Sequence, residues 1–371
     1  MAGSLRVRLA ALRSRLALAL PALFTVGWLV YVEGSDQWER VAAVWPTSAT
    51  MIFGSFVAGS TPQGGGAVAF PVFTKMLEIT GPVARTFALS IQATGMAMAS
   101  ATILLSGRKV EARAIVLGSI GGLIGFLFGA FVLSDPSAPW WVPRIPGAWI
   151  KVGFTIAIAA MAFIIRDCFA GGSSGHDTMP EWTNRSMGAL LGFATMGGVA
   201  SSLVGSGSDV LLFIFLVAVM GLHPRVGIPT SIITMAIVSV AGLVLFGLLD
   251  GQLSSTLGSD GRVVAIAGEP LDVSLDPTQF DLFGIWLGAA PIVVWGAPLG
   301  AWVASVLPER RLIAFVALMA VAEVLSTIIF LDALRTDRPL AAFGIFGLAG
   351  AFVVVQLLGR ARSWIVAPAA P

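Results

Sequence analysis

Charge is scarce in this chain. Only 11% of its 371 residues are Asp, Glu, Lys or Arg, where an average soluble domain carries about a quarter. Hydrophobic residues make up 57%, and the mean hydropathy is +0.91. There is too little polar surface to coat a globule, so lipid must be the solvent. Cysteine is nearly absent: Cys168 alone excludes an internal disulfide framework and a thiolate metal cage. Two histidines, His176 and His223, leave little for a metal site, so neither metal nor cofactor is expected. No G-x-x-x-x-G-K-[ST] phosphate loop is present, so ATP-driven transport would need another subunit. The net charge of +2 says little about partners, and nucleic acid is not expected among them.

Glycine, at 43 residues, is plentiful, as where membrane helices pack closely. Long apolar runs are plentiful too. Arg6, Arg8, Arg13 and Arg15 precede a run from Leu16 to Val32. That resembles a signal peptide, but Trp28 and Tyr31 near its end and the missing A-x-A exit predict a retained helix. Runs near the ~20 residues that cross a bilayer predict helices at 16–32, 41–59, 84–106, 112–133, 149–165, 186–204, 226–249, 282–306, 311–331 and 340–359. Ala67–Leu77 and Asp209–Gly221 are too short to span and predict re-entrant or broken helices.

With the N-terminus inside, 14 of the 22 basic residues fall on the inner face, among them Arg108, Lys109, Arg113, Arg225, Arg310 and Arg311. The expectation is a multi-pass protein of a bacterial inner membrane with both termini cytoplasmic. Its polar 250–281 loop folds over the outer face. The fold class expected is all-α, with two inverted repeats, paired short helices, and flanking N- and C-terminal helices. The divisions are an arm and first helix at 1–40, repeat 1 at 41–166, a linker at 167–185, repeat 2 at 186–332, and a C-terminal helix and tail at 333–371.

The repeat rests on two turns. Ser60, Thr61, Pro62, Gln63, Gly64, Gly65 and Gly66 lie over Ser201, Ser202, Leu203, Val204, Gly205, Ser206 and Gly207 at an offset of 201 − 60 = 141. The same offset puts Ser90 on Ser231. Each turn opens a short run, and each is followed by a helix with small polar residues, Ser90 and Gln92 in one, Thr230, Ser231 and Thr234 in the other. An odd number of predicted crossings separates the copies, which makes them inverted. Interrupted segments meeting at the midplane are the pointer to a secondary transporter site.

Such turns suit an anion. The first N–H groups of a helix lack intrahelical partners and carry the positive dipole end. Glycine lets backbone approach a ligand, and Ser60, Thr61, Ser201, Ser202, Ser206 and Ser208 add hydroxyls. The competing reading is close helix packing through small residues.

The segment from Gly54 to Gly59 (GSFVAG), followed by Ser60–Gly66 and then Ala67–Pro71, resembles the first motif of the TauE/SafE sulfite exporter family. Pro224 to Ser231 (PRVGIPTS) is similar to the turn of its second repeat, and Leu307 to Leu312 (LPERRL) to a turn near its end. The resemblance covers about residues 41–360. It implies a permease for sulfite or small organosulfonates, embedded in lipid, with a homo-oligomer left open. Two departures are serines in the second turn where more glycine is expected, and a long 250–281 loop.

Charged residues inside the apolar runs are functional candidates. Glu323, mid-helix, is a candidate for a coupling proton or for a hydrogen-bonded carboxyl. Asp209 opens the second short run as a cap or coupling group; its charge opposes an anion there, which favours the first turn. Lys75, Arg85 and Arg225 are candidates for the anion path. The alternatives are a passive anion channel and an intramembrane serine hydrolase, for which Ser206 or Ser208 with His223 is the only pairing available.

Overall fold

The computed structural model describes residues 2–65, 68, 72–73, 81–138, 141–170, 176, 178–179, 181–257, 263–266, 269–270 and 281–365. Helices dominate. In chain order they are α1 (Ala2–Gly34), α2 (Trp38–Ala43), α3 (Trp45–Ser60), α4 (Gly81–Leu105), α5 (Ala112–Val132), α6 (Gly147–Ala170) and α7 (Asn184–Val204). There follow α8 (Ser208–Ile214), α9 (Pro224–Gly242), α10 (Leu282–Val306), α11 (Glu309–Phe330), α12 (Ala333–Thr336) and α13 (Arg338–Ile365). Among the described residues nine helices are long and apolar enough to cross a membrane.

That is one fewer than the sequence runs predicted. The 41–59 run is broken at Val44, between α2 and the 16-residue α3. Pro46, in the first turn of α3, is the physical reason. It has no N–H to donate, and its ring would strike the carbonyl four residues back, so a helix can begin there but not pass through. The predicted run at Asp209–Gly221 is a short apolar helix over Ser208–Val219, whose second half, Phe215–Val219, is wound as a π-helix. Leu243–Leu249 continues α9 in the same wider winding. Ala67–Leu77 lies almost entirely outside the described residues.

Local signals set several helix ends. Thr183 and Ser186 form a reciprocal capping box at the start of α7. Pro224 opens α9, where its absent N–H is no loss. The 250–281 loop carries the exception to helix: β1 (Ser255–Leu257), β2 (Val263–Ile266) and β3 (Glu269–Pro270) form an antiparallel sheet in the order β1-β2-β3. The sheet is tied to the bundle through Asp281, which accepts from Ser255 Oγ at 2.6 Å and pairs with Arg40 of α2.

The tightest packing joins helices remote in sequence: α5 with α7, and α3 with α10. A Cβ at Gly125 would overlap the Thr195 carbonyl, and one at Gly59 would overlap the Ala297 carbonyl. These backbones therefore touch, which is how small residues hold membrane helices together without a hydrophobic drive. Phe126, Ile158, Met161, Phe213, Ile232 and Phe246 fill the core between them. Outside it, α1 is bound by two indoles: Trp28 donates to the Leu287 carbonyl at 2.8 Å, and Trp295 to Thr25 Oγ1 at 3.0 Å.

Candidate functional site

Both glycine turns are sharp reversals. α3 ends at Ser60, Thr61 is extended, and Gly64 has φ +67°. α7 ends at Val204, and Gly205 has φ +86°. The two left-handed glycines are 205 − 64 = 141 residues apart, the offset read from the sequence. Any other L-residue would strain there by about 1–2 kcal/mol. Gly207, at φ +139°, completes the second turn before α8 begins. Gly66 lies outside the described residues.

The turns meet. Ser206 Oγ donates to the Gln63 carbonyl at 3.3 Å, and Gln92 Nε2 donates to the Gly205 carbonyl at 2.9 Å. A Cβ placed on Gly64 would lie 2.8 Å from Ser206 Oγ, 3.0 Å from Asp209 Oδ2 and 3.4 Å from Gln92 Oε1. Gln63 reaches across to the Val316 carbonyl of α11 at 3.2 Å. Gln63, Gln92, Ser206 and Asp209 are all buried. Gly65 faces elsewhere: its Cβ would meet Gly54 O, Ala58 and Met51 of α3 at ordinary contact distance. Gly64 is therefore the glycine that looks into the junction.

Most of the candidate hydroxyls face their own helices. Ser60 donates to Phe56 O, Thr61 to Val57 O, Ser202 to Val199 O, Thr230 to Val226 O and Ser231 to Ile228 O, at 2.7–3.0 Å. A hydroxyl bonded back this way has spent its only proton. Thr230 also accepts from the Glu111 amide, which places it at the end of the bundle. Ser201 and Ser208 share a bond of 2.9 Å that closes the second turn. The Val210 amide donates to Asp209 Oδ1 at 3.0 Å, so this aspartate takes up one of the N–H groups at the start of α8. On the other side of the junction, the amides of Gly64 and Gly65 donate to no described residue.

The charged candidates separate. Arg85 lies in the first turns of α4, fully buried, donating to the Trp141 carbonyl at 2.8 Å with its guanidinium 4.3 Å from the centre of the Phe246 ring. Glu323 is not isolated: it forms a buried ion pair with Lys151 of α6, and Thr155 and Thr327 bond to each other beside it. Lys151, placed inside an apolar run, drew no attention in the sequence; only its charge could have marked it. Lys75 lies outside the described residues. His223 accepts the Arg225 amide at its Nδ1 and caps α9. Ser206 and Ser208 have other partners, so the hydrolase pairing finds no support.

Two cavities sit at opposite ends of α4. One, of about 320 Å³, touches Gly59 and is lined by Arg108, Lys109, His223 and Arg225 among apolar residues of α4, α9, α10 and α11. Burial pulls the Arg108 guanidinium below the usual arginine value, yet arginine keeps its charge. Arg108 donates to the Ala301 carbonyl and Arg225 to Leu307 O. The other cavity, of about 250 Å³, lies at the start of α4, carries Lys151 and reaches Leu203 and Val204. Each cavity thus ends against the residues that precede one glycine turn; the first gathers three basic side chains, the second only Lys151, which is paired with Glu323.

No curated protein and no solved structure matches the chain. The family described as sulfite exporter TauE/SafE matches residues 47–326, a stretch that runs from α3 through most of α11 and so takes in both turns, the junction and both cavities; the chain belongs to the TauE/SafE sulfite exporter family.

Proposed function

We propose that the chain is a secondary carrier of sulfite or a small organosulfonate, and that the anion is held where the two glycine turns meet. The observation that carries this reading is the pair of cavities at opposite ends of α4, each ending beside one turn. A carrier needs one site with access from two sides, and an anion is drawn to the first entrance by the fixed positive charge of Arg108, Lys109 and Arg225. At the junction the first turn does more of the binding, through the amides of Gly64 and Gly65, because the start of α8 carries the Asp209 carboxylate, which already takes the Val210 amide. The equal offset of the left-handed glycines supports two repeats of one ancestral unit, running in opposite directions through an inner membrane. The face with Arg108, Lys109 and Arg225 is then cytoplasmic.

The test is sulfite efflux from proteoliposomes, with Arg108, Lys109 and Arg225 each replaced by Gln, singly and together. A unit charge at roughly 8 Å and an effective dielectric constant of about 20 is worth about 2 kcal/mol. The expected result is a KM for sulfite on that face raised at least tenfold in the triple variant, with kcat less affected. Unchanged KM in a folded triple variant overturns the reading. So does a panel of sulfite, taurine, sulfate and acetate in which none raises the thermal stability of the purified protein.

A further inference from the structure

The junction holds more acceptors than donors. Asp209 Oδ2 and Gln92 Oε1 are buried and have no hydrogen-bond partner among the described residues. Both lie within 3.4 Å of the point where a Gly64 side chain would begin, and Ser206 Oγ lies 2.8 Å from the same point. Gln92 cannot relieve this by turning its amide, because its NH₂ is committed to the Gly205 carbonyl. Ser206 gives its proton to the Gln63 carbonyl, so its lone pairs are what remain for the cluster. Three oxygen lone-pair donors, one of them a carboxylate, therefore crowd together against the bare face of Gly64, closely enough that not even a methyl would fit there.

We propose that Asp209 Oδ2, Gln92 Oε1 and Ser206 Oγ form a binding site for a small monovalent cation. Hard oxygen ligands suit a hard cation, and a single carboxylate balances a single positive charge. Asp209 Oδ1 accepts from the Val210 amide at 3.0 Å, but Oδ2 is buried without a partner among the described residues, and an unsatisfied carboxylate oxygen is costly at membrane depth. A sodium ion and a proton share this chemistry: the first is ligated by all three oxygens, the second sits on Oδ2 and is shared with Gln92 Oε1. The charged residues of the helices packed on α8 are Arg185 on α7, Arg225 on α9, and Lys151, Arg166 and Asp167 on α6. Asp209 makes no ion pair among the described residues. The cation also bears on the anion. Two negative charges repel at one junction, so occupation of the cation site raises affinity for sulfite, and sulfite raises affinity for the cation by the same factor. This second statement rests on the anion-carrier reading; the site itself does not.

The experiment measures the thermal unfolding midpoint of the full chain in detergent, with no sulfite present. One arm titrates NaCl against choline chloride at constant ionic strength and pH 8. The other lowers the pH from 8 to 5.5 in choline chloride alone. The expected result is a saturable rise in one arm for the wild type, lost in Asp209→Asn. The rise should also shift at least tenfold in cation concentration in Gln92→Ala and Ser206→Ala, which keep the proposal testable if Asp209→Asn does not fold. A flat wild-type response in both arms overturns the site, as does a response that survives unchanged in these variants. Sulfite binding is then measured with and without the effective cation. A cation response with no sulfite binding in either condition rejects the anion reading and keeps the site. Sulfite binding that ignores the cation rejects the coupling.

Discussion

The buried Lys151–Glu323 pair lends itself to a quantitative test. Both side chains are almost fully buried between α6 and α11, and Lys151 also lines the cavity at the start of α4. Lys151→Met removes the ammonium and leaves a carboxylate in the bundle. Breaking a buried pair in this way destabilises by about 3–5 kcal/mol. Replacing both residues, Lys151→Met with Glu323→Leu, removes both charges and should return stability to within about 1 kcal/mol of the wild type. Unfolding in mixed micelles by titrated SDS reads these differences, and the four proteins form a double-mutant cycle. Transport separates the two roles of Lys151. The double variant should be stable yet show a raised KM for sulfite on the Lys151 side, whereas Glu323→Leu keeps the lysine. Single variants as stable as the wild type would refute the ion-pair reasoning. A stable double variant with wild-type KM would refute the place of Lys151 in the anion path.

Three further outcomes are expected. Gly64→Ala combines a left-handed backbone, φ +67°, with a methyl pressed against Ser206, Asp209 and Gln92; it should lower stability by about 1–2 kcal/mol from the backbone alone and abolish sulfite transport, while Gly65→Ala, in ordinary contact with α3, retains most of it. Arg85→Lys should lose stability by about 1–3 kcal/mol, because lysine cannot lie as a plane over Phe246 while reaching the Trp141 carbonyl; wild-type thermal stability in this variant would count against the ring contact. Gly125→Leu should fail to accumulate as folded protein, since even a Cβ overlaps the Thr195 carbonyl, and size-exclusion chromatography of the detergent extract reads this directly.

Much of the layout was legible from apolar runs, because run length and lipid thickness are linked by simple geometry. The break at Val44 was legible in principle from Pro46 and was overlooked because hydropathy ignores the backbone donor that proline lacks. The two turns were legible as a pair, and the left-handed angles at Gly64 and Gly205 follow from what glycine permits. Which glycine faces the junction was not legible, since Gly64 and Gly65 differ only in direction. Nor could the serines be ranked: a hydroxyl bonded to its own helix and one aimed at a ligand look alike in one dimension. The largest omission was the cation-lined cavity. Arg108 and Lys109 served only to orient the chain, although they come together with Arg225 at the start of α9, more than a hundred positions away. Three-dimensional proximity of that kind leaves no local trace. The partner of Glu323 was missed for the same reason, since Lys151 is 172 positions away in sequence.

The packing of α3 against α10 has a bearing on how the chain is made. α3 is 16 residues long, about 24 Å of helix, shorter than the hydrocarbon layer it must occupy. Its seat is the small-residue face of α10, where Gly59 meets Ala297. At about 5–20 residues per second, the ribosome needs roughly ten to fifty seconds to travel from one to the other. Through that interval α3 and its glycine turn sit in the translocation machinery or the bilayer without their backbone partner. α7, by contrast, emerges to find α5 already in place. Assembly of the first turn is therefore a late event, completed only when the chain is nearly finished, and a ribosome stalled before α10 leaves behind a membrane protein with one turn built and the other waiting.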